Sequence, residues 1–251
     1  MSTSTIHKHL IYWVLPSAVN LACLLIYFFD LFELRSLIAP EVNREFGLVE
    51  HLQLVTIILI FSHSVKAARR KTHKVEKYGF LLIAVVAGFL LLEEIDYGLH
   101  YYDYLTGKTK KQLLHEIYIQ KSFRNIHNQG NLTNVIKMSV YVTIVILFVL
   151  FPLLPNRIKK QSRLLNYLSP SRFIISTAVS LLVINQIALV LNKSYGSDTM
   201  PLAGNVSEFE EMMIYYILLM YITELSARRL PWQTNKKPQA KSPRYEEEII
   251  A

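Results

Sequence analysis

Cysteine is nearly absent. Cys23 stands alone among 251 residues, so no internal disulfide framework exists. Charge is scarce too: Asp, Glu, Lys and Arg make up 18% against 52% hydrophobic residues, below the roughly 25% charged of a soluble domain. The same figures exclude a disordered chain, a collagen and a coiled coil. There is no internal repeat and no low-complexity tract. The P-loop, the Rossmann glycine pattern, HExxH and GxSxG are all missing.

What is present is apolar sequence in long runs. A membrane-crossing helix needs about 20 mostly apolar residues, and six stretches meet or approach that: about 10–29, 48–65, 78–92, 135–154, 173–191 and 212–225. The third and the sixth are short. They reach full length only by taking in carboxylates, Glu93 and Glu94 in one case and Glu208 to Glu211 in the other. Mean hydropathy is +0.27. The pattern predicts an all-α integral membrane bundle of about six helices. The first is read as an uncleaved anchor, because it is long for a signal-peptide core and its leading segment is weakly charged.

The net charge of +8 is a topology signal. Lys66 to Lys77, Pro155 to Arg172 and the tail after Ser226 hold, with Lys8, 18 of the 27 basic residues. An excess of Lys and Arg marks cytoplasmic loops. These segments fall on one side of a six-helix path, so both termini are expected to be cytoplasmic. No basic segment forms a folded reading module, so nucleic acid is not an expected partner. Residues 1–227 form the expected membrane domain, and 228–251 a basic, disordered cytoplasmic tail.

The opposite side is acidic, with 14 of the 19 carboxylates in the segments Asp30 to Glu50, Glu93 to Asn134 and Asn192 to Glu211. If the third helix runs on through LLEEIDYGLHYYDYL, then Glu93, Asp96, His100 and Asp103 share one stripe at i, i+3, i+7 and i+10. Glu94 lies about 100° away, and Gly98 offers either a close approach or a helix end. His127, Asn131 and Asn134 share a face before the fourth helix, where Asn128 or Asn131 can cap. Ser207 with Glu210 reads as a capping box, with Glu208, Glu211 and Tyr215 on one face. Glu50 and Gln53 pair at the start of the second helix.

An ionisable residue in a bilayer costs roughly 2.5–3.5 kcal/mol at a helix centre. Four helices bearing that load at one level predict a shared polar cavity. Taken singly, acids at helix N-termini are also what the dipole favours. The mixed Glu, Asp, His and Asn set suits a divalent cation such as zinc or calcium. In the metal-dependent reading Glu94 or Asp96 is general base. Glu93, His100, His127, Glu208 and Glu211 are ligands, and Glu50, Gln53, Asn128 and Asn131 complete the polar wall. The substrate would be a lipid or lipid-linked ester, amide or phosphate. A cation- or proton-coupled transporter, with a polar path past Asn20, Gln53, Asn185 and Gln186, is the alternative. A non-catalytic subunit is the third reading.

The run Glu93-Glu94-Ile95-Asp96-Tyr97-Gly98, with Asn128-Gln129 and Asn131-Leu132-Thr133-Asn134 after it, resembles a family of uncharacterised bacterial multi-pass membrane proteins. That family carries an EEISWGQ-like stretch, an NxQ…NLHN-like stretch and an acidic start to its last helix. Asp96 and Tyr97 stand where it has Ser and Trp, and Thr133 where it has His. The resemblance implies a bacterial inner-membrane location. A looser similarity is to alkaline-ceramidase-type membrane hydrolases, which gather acids and histidines around a metal.

Overall fold

The structure, a computed structural model, describes residues 3–41, 46–108, 112, 131–196, 200, 202 and 206–230. Among these there is no strand. Six long helices carry the fold. α1 covers residues 3–29 as Thr3–His9, a π-helical stretch Leu10–Val14, and Leu15–Phe29. α2 is Leu48–Arg70 and α3 is Lys74–Glu94. α4 covers residues 131–153 as Asn131–Ile144, a second π-helical stretch Val145–Leu150, and Phe151–Leu153. α5 is Phe173–Tyr195 and α6 is Glu208–Ala227.

Among the described residues, five segments are long and apolar enough to cross a membrane: Thr5–Phe29, Leu48–Arg70, Lys74–Glu94, Val135–Leu153 and Phe173–Tyr195, with mean hydropathy from 1.6 to 2.3. Their outward faces are bare hydrocarbon. Leu82 and Val85 on α3, Met138 and Ile146 on α4, and Val183 and Val190 on α5 are all exposed. Proteins in water rarely leave such faces uncovered, whereas lipid accepts them. The fold is that of a multi-pass membrane protein.

α6 differs from the other five. Phe209, Met213, Ile217, Tyr221 and Leu225 are buried, and so are Met212, Tyr215, Leu219 and Ile222 on the remaining faces. A helix covered all round lies at a bundle centre. α1, α2 and α5 pack directly on it, α3 packs on α2, and α4 packs on α5 through its π-helical stretch. Small side chains let the backbones close, as association inside lipid requires. Ser64, Ala67 and Ala68 on α2, Ala84 and Ala87 on α3, and Ala178 and Ala188 on α5 are all buried.

Both π-helical stretches run up to a proline. Pro16 and Pro152 lack an N–H and push away the carbonyl four residues before them. In α1 that carbonyl belongs to Tyr12, and the Thr177 hydroxyl of α5 donates to it. The Tyr216 hydroxyl of α6 donates to the neighbouring Ile11 carbonyl at 2.7 Å. The freed backbone of α1 is thus satisfied from two other helices, which is what makes an intramembrane proline tolerable.

The chain begins and ends its described course at one end of the bundle. His9 packs edge-on against Phe173 at 5.1 Å, and Arg228 donates to the Tyr167 carbonyl at 3.0 Å. The Lys71–His73 turn and the α4–α5 connection lie at this same basic end. Leu230 is buried, so the packed domain extends past the expected boundary at 227. The rest of the expected tail lies outside the described residues.

The expectation of a continuous third helix is corrected. α3 stops at Glu94. Asp96 and Tyr97 have φ of 46° and 55°, Gly98 has φ of 93°, and a new short helix runs Leu99–Leu105. Three successive left-handed residues cannot continue a right-handed helix, so the Glu93–Asp96–His100–Asp103 stripe does not form.

Replacing Thr177 by valine removes the donor to the Tyr12 carbonyl and should destabilise the protein by about 1 kcal/mol. In a Pro16→Ala background, where the carbonyl regains its helical partner, the same change should cost less than half as much. Unfolding of the four proteins in mixed micelles measures both; equal costs in the two backgrounds would disprove the link.

Candidate functional site

The site is set by where α6 begins. The Asn20 side-chain amide donates to the Phe209 carbonyl at 2.5 Å, and Gln53 donates to the Glu208 carbonyl at 3.0 Å. At 1.5 Å per residue, Asn20 lies about 13 Å from the acidic end of α1, at Phe29. On α5, Asn185 lies about 15 Å from Tyr195. It donates at 3.3 Å to the Tyr141 hydroxyl of α4, which stands beside Glu210. The first turn of α6 is therefore recessed inside the bundle. The chain reaches it by turning inward, with Leu202 and Val206 buried and the Leu202 N–H donating to the Tyr27 hydroxyl at 2.9 Å.

That first turn carries Glu208, Glu210 and Glu211. Glu208 and Glu210 are buried. Glu94 at the end of α3, Glu208 and Glu210 all lie within electrostatic reach of Glu211. The Tyr215 hydroxyl donates to Glu94 and joins α6 to α3. Gln53 also donates to the Glu208 carboxylate at 3.2 Å. Lys137 of α4 meets this group from the side, 3.6 Å from Glu211 and 3.1 Å from the Ser207 hydroxyl. Among the described residues, no group of three His, Cys, Asp or Glu could hold a metal ion.

The residues singled out from the sequence fall into four sets. Glu94, Glu208, Glu211 and Gln53 come together. Glu50 is buried one turn before Gln53 on α2. Glu93 and Asp96 are buried but belong to the turn after α3. There the Tyr97 hydroxyl donates to Glu93, which pushes the Tyr97 phenol above its ordinary pKa. Asp103 is buried as well, paired with Lys108 at 2.8 Å. His127 and Asn128 lie outside the described residues, and for His100 and Asn131 only the backbone is described. The Ser207 capping box does not form: Ser207 is itself helical and makes no side-chain cap, its hydroxyl being occupied by Lys137. Gln186 faces outward, away from any polar path.

Tyr215 was legible on the face of Glu208 and Glu211, though not as a partner of Glu94, and Lys137 and Tyr141 were not legible as partners of these acids. A lysine near the start of an apolar run was the available signal for Lys137.

A second polar layer closes the basic end. Glu224 of α6 accepts from the Tyr12 hydroxyl at 2.6 Å, from the Ser171 N–H at 2.9 Å, from the Ser171 hydroxyl at 2.5 Å and from Arg228 at 2.9 Å. Beside it Lys71 pairs with buried Glu76 at 3.2 Å, and Glu76 accepts from the Leu230 N–H at 3.3 Å. Glu224 lies about 20 Å along α6 from Glu210, with mostly apolar packing between, interrupted by the Tyr216 and Tyr221 hydroxyls.

No family model matches this chain, and no curated protein or solved structure matches it.

The two layers differ in how their charges are met. Glu224 has a guanidinium and three neutral donors, while Glu211 has an exposed lysine at 3.6 Å and three carboxylates within electrostatic reach. Glu224→Gln should cost about 3 kcal/mol, because the Arg228 charge is left half-buried without its partner. Glu211→Gln should change stability by no more than about 0.5 kcal/mol, since it relieves repulsion as it loses a weak pair. Denaturation midpoints of both variants in micelles test this; a larger loss at Glu211 than at Glu224 would invert the argument.

Proposed function

We propose that this chain is a six-helix membrane protein with both termini cytoplasmic, and that its recessed carboxylate site takes up a small cation or a proton. The single observation carrying the reading is that Glu94, Glu208 and Glu210 all lie within electrostatic reach of Glu211, with the exposed Lys137 at its side. Carboxylates brought together and partly removed from water are costly unless positive charge joins them. The orientation rests on the basic loops and both ends of the described course lying together. A bacterial inner membrane is the location that fits the sequence resemblance. In this reading α6 is a sixth membrane-embedded helix, shielded from lipid by its neighbours. Movement of the bound species across the bundle requires the packed section of α6 between the layers, and then the Glu224 layer, to open.

A metal-dependent hydrolase acting on a membrane lipid is the second reading. The observation that favours it is Glu94, a carboxylate half-exposed at the edge of the site and bonded to the Tyr215 phenol. Such a group is positioned to accept a proton from an attacking water. Its ligands would have to include His127.

Two experiments bear on these proposals. With Cys23 replaced by serine, single cysteines at Lys74 and at Ser162 should react with impermeant maleimide only from the cytoplasmic side; labelling of either from outside contradicts the orientation. In proteoliposomes, an imposed proton or sodium gradient should drive uptake that falls at least tenfold in Glu211→Gln and in Glu94→Gln (a loss of about 1.4 kcal/mol or more) but is retained in Glu41→Gln, an exposed control. No flux in the wild type, together with stoichiometric zinc after purification, would replace transport with the hydrolase reading.

A further inference from the structure

Asn20 and Gln53 are both fully buried, with no measurable exposure. Each spends its N–H donors on the start of α6: Asn20 on the Phe209 carbonyl, and Gln53 on the Glu208 carbonyl and carboxylate. The other half of each amide, Asn20 Oδ1 and Gln53 Oε1, has no hydrogen-bond partner among the described residues. Exchanging oxygen and nitrogen does not cure this, because it would aim an oxygen at a carbonyl and abandon the donor bonds. A buried amide oxygen left without a donor is costly, because its hydration is lost and nothing replaces it. The two amides come from separate helices onto one turn, Asn20 at the Phe209 carbonyl and Gln53 at the Glu208 carbonyl and carboxylate, so two hard oxygen donors with no hydrogen to accept stand at an acid-rich turn. Glu210 Oε1 is a third buried oxygen without a hydrogen-bond partner in the same first turn.

From this placement we propose that Asn20 Oδ1, Gln53 Oε1 and the Glu208 carboxylate are ligands for a hard cation of the sodium or calcium class, bound through oxygen alone at the recessed start of α6. The inference rests on the carboxylate-site reading and adds to it the ligand class and two neutral ligands. Hard cations favour carboxylate and amide oxygens, whereas zinc favours imidazole and thiolate. The surplus negative charge around Glu211 favours a cation here over a neutral water.

The test uses the full-length protein in lipid nanodiscs, with choline chloride holding ionic strength. Thermal unfolding is followed while sodium, calcium, magnesium or zinc is titrated. Sodium or calcium should raise the midpoint saturably, by about 5–10 °C at a hundredfold excess over the dissociation constant, and magnesium and zinc should do less. Gln53→Leu and Asn20→Leu should abolish that rise, and Gln53→Glu, which keeps an oxygen at the position, should retain it. Equilibrium binding of radioactive sodium or calcium to the wild type gives a second readout should the leucine variants not fold, and it should show one saturable site.

A wild type stabilised by neither sodium nor calcium, with no saturable isotope binding, overturns the proposal and assigns the two amide oxygens to water. Undiminished stabilisation in Gln53→Leu and Asn20→Leu overturns it too. If proteoliposome uptake remains dependent on Glu211 in either case, the carboxylate-site reading survives this failure. Loss of uptake dependence on Glu211 and Glu94 would end that reading instead.

Discussion

A helix that begins inside an apolar bundle brings a problem with it. Acids that would sit comfortably in water at its first turn are carried away from it. Everything distinctive about this protein follows from α6 starting below the acidic ends of α1 and α5. Asn20 and Gln53 approach from α1 and α2, Glu94 and Tyr215 close the α3 side, and Tyr141 with Lys137 closes the α4 side. The neighbouring helices supply polar side chains at this depth because α6 demands them there.

Tyrosine recurs as the answer to buried glutamate. Tyr97 donates to Glu93, Tyr215 to Glu94 and Tyr12 to Glu224, and Tyr141 stands beside Glu210. A phenol can present its hydroxyl to a carboxylate while its ring packs among apolar side chains. It stabilises the acid without adding a second buried charge, which inside lipid is the expensive alternative. At the basic end, where Glu224 lies within a turn of the end of α6, a guanidinium joins the pair because Arg228 is part-exposed and its hydration is less fully lost. The two layers therefore have different characters: the basic one is saturated with donors, and the recessed one gathers carboxylates within reach of one another.

Much of this architecture was readable in the residues, and the gaps have physical causes. The apolar runs predicted the long helices, five of which are long and apolar enough to cross a membrane among the described residues, because only helices and closed barrels satisfy their backbone in lipid. Basic loops predicted which helix ends gather together. The end of α3 was misjudged because Glu93, Asp96, His100 and Asp103 keep perfect helical spacing while the backbone at Asp96 and Tyr97 turns left-handed, and spacing carries no information about φ. Ser207 had the composition of a cap but not its extended backbone. The depth of α6 was invisible as well: Glu208 to Glu211 read as a helix mouth at the boundary, and only the bonds from Asn20 and Gln53 show how far inside they lie. Glu224 went unnoticed as the hub of the basic layer, although a lone acid four residues before Arg228 and within an apolar run was the available clue.

The depth of α6 is best measured by cross-linking. With Cys23 replaced by serine, the double substitution Asn20→Cys and Phe209→Cys places two thiols where the side-chain amide of one residue meets the carbonyl of the other. Mild oxidation in membranes should link them efficiently, and the pair Phe29→Cys with Phe209→Cys should stay open. The reverse pattern would raise the start of α6 to the acidic rim, and with it would go the recessed site.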